Sequence, residues 1–172
     1  MNNTRSRIQL NKYIFILIIA LVACNNKSNV IKSKLEGQLL PSFQVFLLDS
    51  TSYFTNNISK QHPTVFLFFS SSCPYCKAQT VDIVDNIKDL TDINFYFIAT
   101  DPIPTLLQYS KYYELNKIKN ITVIQDYKNF FHNYFNTMGV PYLAVYNKKK
   151  ILKQVFMGKT NVYDLKEVAI KD

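Results

Sequence analysis

The chain has no tryptophan and only three glycines, six prolines, three cysteines and two histidines in 172 residues. So little glycine and proline excludes a collagen-like or low-complexity chain, and no internal repeat marks a solenoid. Three cysteines are too few for a small scaffold stapled by disulfides. Arginine is nearly missing as well: it occurs only as Arg5 and Arg7, and lysine supplies the rest of the positive charge. The net charge of +8 is thus lysine charge spread along the chain. Nucleic-acid sites favour arginine with clustered aromatics, which argues against nucleic acid as a partner. What the chain has in quantity is apolar bulk, 48% hydrophobic with thirteen Phe and twelve Tyr. That is enough for the core of one domain and hardly two.

The N-terminus reads as an address. Residues 1–12 carry Arg5, Arg7 and Lys12 and no acid, and residues 13–23 (YIFILIIALVA) are apolar throughout. Such a run is too short for a membrane span, which takes about 20 residues. A basic stretch, a short apolar stretch and a small residue at the cut site form the pattern of an export signal. Leu21-Val22-Ala23-Cys24 resembles the lipobox of bacterial lipoproteins. That resemblance implies a signal peptide over residues 1–23 and lipidation of Cys24, leaving Cys73 and Cys76 as the only free thiols. The compartment would then lie outside the cytoplasmic membrane, in the cell envelope, where thiols meet oxidising conditions. The alternative is an uncleaved anchor or a buried N-terminal helix.

Residues 24–37 read as the lipidated cysteine and a flexible polar tether reaching at most roughly 45 Å. Residues 38–172 read as a single α/β domain. Apolar runs at 64–69 and 93–99 read as buried strands, and 43–48, 121–124, 142–146 and 151–156 as further strands. Helical spacing covers 77–90, 105–115, 127–137 and 162–170. The 127–137 helix carries an aromatic stripe of Tyr127, Phe130, Phe131, Tyr134 and Phe135, read as core. Residues 147–150 (NKKK) read as a solvated hairpin turn. Strands alternating with helices predict a central mixed β-sheet with helices on both faces.

The chemistry is expected at Cys73-Pro74-Tyr75-Cys76, between a buried strand and a helix. The first cysteine falls at the helix N-terminus, where unpaired N–H groups and the macrodipole favour an anion. Pro74 suits the first helical turn, since its missing N–H is unused there. Two intervening residues bring the sulfurs within disulfide reach, so Cys73 can attack and Cys76 resolve. Tyr75 falls beside the exposed sulfur, where it can shape substrate contact. A zinc site wants four ligands and the chain offers two thiols and distant His62 and His132. A c-type haem site needs histidine where Lys77 stands. No metal or other cofactor is expected. A structural disulfide between Cys73 and Cys76 remains open.

From Pro41 to Gly158 the sequence resembles a thioredoxin-fold domain of the membrane-tethered TlpA-like type. Leu40-Pro41-Ser42-Phe43 resembles that group's opening segment, and residues 68–76 occupy the place of its active-site motif. Gly139-Val140-Pro141 before a strand corresponds to its cis-proline loop. The resemblance implies a thioredoxin-like fold and exchange of disulfides with protein substrates. It also implies that Pro141 is cis and faces the thiols, that Val140 pairs with substrate backbone, and that a membrane electron donor recharges the pair.

The sequence also departs from its relatives. Ser72 stands where the superfamily commonly has Trp, and Leu67 where thioredoxin carries a buried Asp. Asp101 can reach the sheet edge that carries the site, but reads more simply as a helix-start residue ahead of Pro102. Peroxiredoxins place Ser or Thr three residues before the catalytic cysteine and Pro four residues earlier; Ser70 fits and Phe66 does not. The reading is a cell-envelope thiol–disulfide oxidoreductase, more reductive than oxidative. The alternatives are a non-enzymatic binding module that captures a partner or metal, a peroxiredoxin-like antioxidant protein, or a domain with an inert disulfide.

Overall fold

The computed structural model describes residues 29–171. The expected signal and Cys24 lie outside the described residues, among which no helix is long and apolar enough to cross a membrane. Eight strands and four helices follow in the order β1 (Val30–Ile31), β2 (Gln44–Leu47), β3 (Ser52–Phe54), β4 (Thr64–Phe68), α1 (Pro74–Asp85), β5 (Asn94–Ala99), α2 (Ile103–Tyr112), β6 (Ile121–Gln125), α3 (Phe130–Phe135), β7 (Tyr142–Tyr146), β8 (Leu152–Met157) and α4 (Val162–Ile170). They form one mixed sheet in the order β1-β8-β7-β4-β5-β6-β2-β3. Strands β4, β5 and β6 are parallel, and every other pairing is antiparallel.

The central strands read as unbroken apolar runs because both of their faces are buried. Side chains alternate across the sheet. Val65, Leu67, Phe95, Phe97, Leu143 and Val145 point to one face, and Phe66, Phe68, Tyr96, Ile98, Tyr142 and Ala144 to the other. Three helices, α1, α2 and α4, cover the first face through Ile83, Leu106 and Leu165. The second face has only the six-residue α3, and large rings fill the space instead. Phe131 stacks on Phe68 at 5.2 Å between centroids and lies 4.5 Å from Phe135, while Phe66 meets Tyr146 edge-on at 5.9 Å. This use accounts for much of the aromatic content.

Several elements differ from expectation, each for a local reason. Helix α1 begins at Pro74 rather than residue 77 and ends at Asp85, with a separate 3-10 turn at Ile87–Leu90. Helix α3 is shorter than 127–137 because Asn129 (φ 53°) and Asn136 (φ 48°), both left-handed, bracket it. The buried Asp126 carboxylate accepts the Phe130 and Phe131 N–H groups at 3.0 and 2.7 Å, fixing the start. Tyr127 is left outside the helix, stacked on Phe46 at 4.5 Å. The tether reading of 24–37 needs shortening. Val30 and Ile31 pair with Phe156 and Val155, and Gly37 N–H donates to the Leu152 carbonyl at 2.8 Å. The turn at 147–150 is not wholly solvated either, since Lys150 is 5% exposed.

Candidate active site

Strand β4 and its parallel neighbour β5 end side by side, Phe68 opposite Ile98. Phe69 prolongs the pairing through its N–H to the Ile98 carbonyl at 3.0 Å. A turn follows, closed by Cys73 N–H to the Ser70 carbonyl at 3.1 Å, and α1 starts there. Cys73 is extended and caps the helix, its Sγ accepting the Cys76 N–H at 3.3 Å. The helix N-terminus thus aims a main-chain donor at the first sulfur.

The two cysteines are unlike. Cys73 is half-buried, Cys76 is fully buried, and both thiols are free. Burial pushes the Cys76 thiol up to about 12, with the Cys73 sulfur and the Asp101 carboxylate adding to the shift. Pro74 occupies the first helical position, and Tyr75 stands 68% exposed beside the pair. The Val140–Pro141 peptide is cis, as the resemblance implies. The Cys73 thiol faces the Val140 carbonyl at 3.7 Å. Pro141 is anchored from the end of β8 by Gly158 N–H, 2.8 Å from its carbonyl. Gly158 has φ +90°, a conformation that favours glycine. The fold therefore brings Cys73, Pro74, Tyr75, Cys76, Val140 and Pro141 to one end of the sheet.

Other residues of this site carry no sequence motif. Ser71 Oγ donates to Asp101 Oδ1 at 2.6 Å, so Asp101 belongs to the site; α2 is capped at Pro102 with no side-chain bond. Of the two sequence readings of Asp101, the sheet-edge placement holds, because β4 and β5 are parallel and end together. Thr80 Oγ1 donates to the Cys76 carbonyl at 3.0 Å and lies 2.7 Å from the Tyr109 hydroxyl, joining α1 to α2. Gln79 Oε1 accepts the Thr160 N–H at 2.6 Å and ties α1 to the segment before α4. A cavity of about 370 Å³ between the start of α1 and α2 is lined by Ser71, Lys77, Gln108, Tyr109 and Tyr112. A cavity of about 860 Å³ between Leu48 and α2 has neither cysteine in its lining.

Among the described residues no group of three His, Cys, Asp or Glu side chains is placed to hold a metal. His132 Nδ1 lies 2.7 Å from Thr137 Oγ1, and His62 precedes β4 at the end away from Cys73.

A model of the AhpC/TSA family matches residues 37–155. No curated protein sequence matches the chain. Among solved structures, dsbF of Mycobacterium tuberculosis in its mixed oxidized and reduced forms is 17% identical with a TM-score of 0.61, covering 80% of this chain and 96% of that one. A secreted M. tuberculosis disulfide oxidoreductase homologous to E. coli DsbE is 18% identical, TM-score 0.60, covering 73% and 93%. Peroxidoxin BcpB of M. tuberculosis is 14% identical, TM-score 0.65, covering 80% and 98%. At these identities the likeness is one of fold. Taken with the cysteine pair at the helix start, the match over most of the domain shows that the chain belongs to the AhpC/TSA family, as a thioredoxin-like oxidoreductase.

Proposed function

We propose that the protein is a thiol–disulfide oxidoreductase of the cell envelope, held by a lipid on Cys24 and acting reductively on protein disulfides through Cys73 and Cys76. The observation that carries this reading is the pairing of a half-buried Cys73 at a helix N-terminus with a fully buried Cys76 behind it. The Cys73 thiolate attacks one sulfur of a substrate disulfide, and the other leaves as a thiolate that takes a proton from solvent. Cys76 then gives its proton to solvent and attacks Cys73 Sγ, releasing the second substrate thiolate and closing Cys73–Cys76. Two electrons have passed to the substrate, and a membrane-borne dithiol donor returns them. Tyr75, 68% exposed, and Met138, 83% exposed, with half-buried Val140 offer an apolar rim suited to polypeptide rather than a small polar substrate. An envelope location is supported by the signal-like N-terminus and by the secreted oxidoreductase among the fold relatives.

A second reading, reduction of hydroperoxides by the same pair, is favoured by the family match and by the likeness to peroxidoxin BcpB. Against it, Phe66 stands at the peroxidase proline position, and the Ser70 hydroxyl pairs with Ser72 at 3.1 Å.

The test is turnover with a dithiol donor on a protein disulfide and on hydrogen peroxide, with and without Cys73. Disulfide turnover that needs Cys73 supports the first reading, and peroxide turnover alone refutes it. Equilibration with glutathione reads the direction: a potential below about −200 mV supports reduction, and one near −120 mV overturns it. Cys24→Ser is expected to release the protein from the membrane fraction, and unchanged fractionation and mass would refute the anchor.

A further inference from the structure

We propose that the chain enters the domain at the end that carries the thiols and holds that end towards the bilayer at short range, so that the disulfides exchanged belong to membrane-held proteins whose cysteines stand close to the lipid surface. This rests on the exchange and lipid-anchor readings above and names the partner class for them. The placement follows from strand register. Phe68, the last residue of β4, lies opposite Tyr142, and Tyr142 opposite Met157. Val30 lies opposite Phe156, so Asn29, one residue earlier, falls level with Met157. Met157 N–H donates to the Asn29 carbonyl at 3.0 Å, and the Asn29 side-chain amide donates to the Lys159 carbonyl. Gly158, between those two, donates its N–H to the Pro141 carbonyl at 2.8 Å, and the Cys73 thiol faces the neighbouring Val140 carbonyl at 3.7 Å. An unbroken row of contacts therefore links the entry of the chain to the first sulfur.

The reach is short. Asn29 is five residues beyond Cys24, so even a fully extended chain holds it within about 18 Å of the lipidated residue. Three strand spacings separate β1 from β4, which confines Cys73 to within roughly 35 Å of the anchor. The exposed Lys148–Lys149 turn lies at the far end of β8, about 20 Å further along the strand. A free folded domain of about 100 residues has a radius of gyration of about 13 Å and does not fit in the gap that this leash leaves. A cysteine pair on a short extramembrane segment does fit, and sharing one surface layer raises its effective concentration at Cys73. The exposed Tyr75 and Met138 stand at this same end, where such a segment would meet them.

The experiment places the lipidated chain in phosphatidylcholine vesicles and reads orientation and exchange separately. For orientation, Cys73→Ser and Cys76→Ser are combined with Met138→Cys or Lys148→Cys, both exposed positions, and the new thiol carries a fluorophore. Energy transfer to a headgroup-linked acceptor is expected to be several-fold stronger from position 138 than from position 148. Thirty Gly and Ser residues inserted between Ser28 and Asn29, about 30 Å of added coil, are expected to level the two. Equal transfer without the insertion, or stronger transfer from 148, overturns the proposal. For exchange, the prereduced chain with both thiols intact passes two electrons to a disulfide peptide coupled to headgroups through three or twenty prolines, spacers of about 10 and 60 Å. Reduction is expected to be several-fold faster on the short spacer, and the insertion to remove that preference; equal rates without the insertion refute the partner class. The same peptide free in solution separates the readings. No reduction there refutes exchange and leaves the orientation to the transfer measurement, whereas reduction there with equal transfer refutes the orientation alone. A chain that does not float with the vesicles refutes the anchor and the proposal with it.

Discussion

At its C-terminal end β4 runs into the loop that carries Cys73 and Cys76; at its N-terminal end Thr64 receives the ammonium of Lys150. Both ends bury an ionisable group. Cys76 is inaccessible and its thiol is pushed up to about 12, chiefly by burial. Lys150 is 5% exposed and pulled down to about 8, again chiefly by burial, with Lys60 adding repulsion. The physical cause is the same: a poorly solvated site disfavours the charged form. The surroundings differ. Lys150 Nζ donates to the His62 carbonyl at 2.9 Å and to Thr64 Oγ1 at 2.6 Å, so its ammonium is held by two oxygens. Cys76 has a half-buried thiol one helical turn away. Burial produces the neutral group; an accessible partner turns it into chemistry.

Breaking each end in turn tests that contrast. Cys73→Ser is expected to reduce disulfide turnover to the uncatalysed rate, while Lys150→Ala stays within about twofold of the parent once folding is verified. Equal losses would erase the distinction between the ends.

The next effect is on stability and has opposite signs at the two ends. An unfolded lysine keeps its proton to about pH 10.4 and an unfolded thiol loses it near pH 8.5. Folded Lys150 gives up its proton at about 8, so above that the unfolded chain holds more protons and stability rises with pH. Folded Cys76 keeps its proton to about 12, so above the unfolded thiol value the folded chain holds more and stability falls. Each contribution reaches roughly 2–3 kcal/mol by about pH 10. Urea midpoints of the reduced protein read this directly. Relative to the parent, Cys76→Ala is expected to tilt the pH curve upward and Lys150→Met downward. Parallel curves for all three proteins would contradict the shared burial mechanism.

The sequence makes these regions unequally legible. Strands β4 to β8 and the cysteine motif stand out because buried runs and a two-residue spacing leave a side-chain pattern. Strands β1 and β3 leave none, since they are short edges held by main-chain pairing. The length of α3 depends on two left-handed asparagines, which a helical aromatic stripe conceals. Lys150 looks like any turn lysine until its φ of 60° is known. Asp101 reads as a helix start because its true partner, Ser71, lies on a different strand's exit. The misses at β1, β3 and Asp101 are contacts set by tertiary pairing, and those at α3 and Lys150 are left-handed residues that the side-chain pattern does not mark.

The smallest effect compares two buried tyrosines, one on each face of the sheet. The Tyr109 hydroxyl is bonded to Thr80, whereas the Tyr142 hydroxyl has no partner among the described residues. Tyr109→Phe is expected to cost about 1 kcal/mol, and Tyr142→Phe to be neutral or slightly stabilising, by urea unfolding. Equal costs would mean that the hydroxyl bond to α1 carries no weight.

The central claim is that Cys73 attacks first and Cys76 resolves. It is tested most directly by mixing reduced Cys76→Ala protein with a disulfide-bonded protein substrate, quenching with acid and mapping the adduct by mass spectrometry. The account predicts a stable mixed disulfide at Cys73 that the parent chain does not accumulate. No adduct at Cys73, or an equal adduct at Cys76 in Cys73→Ala, would contradict it.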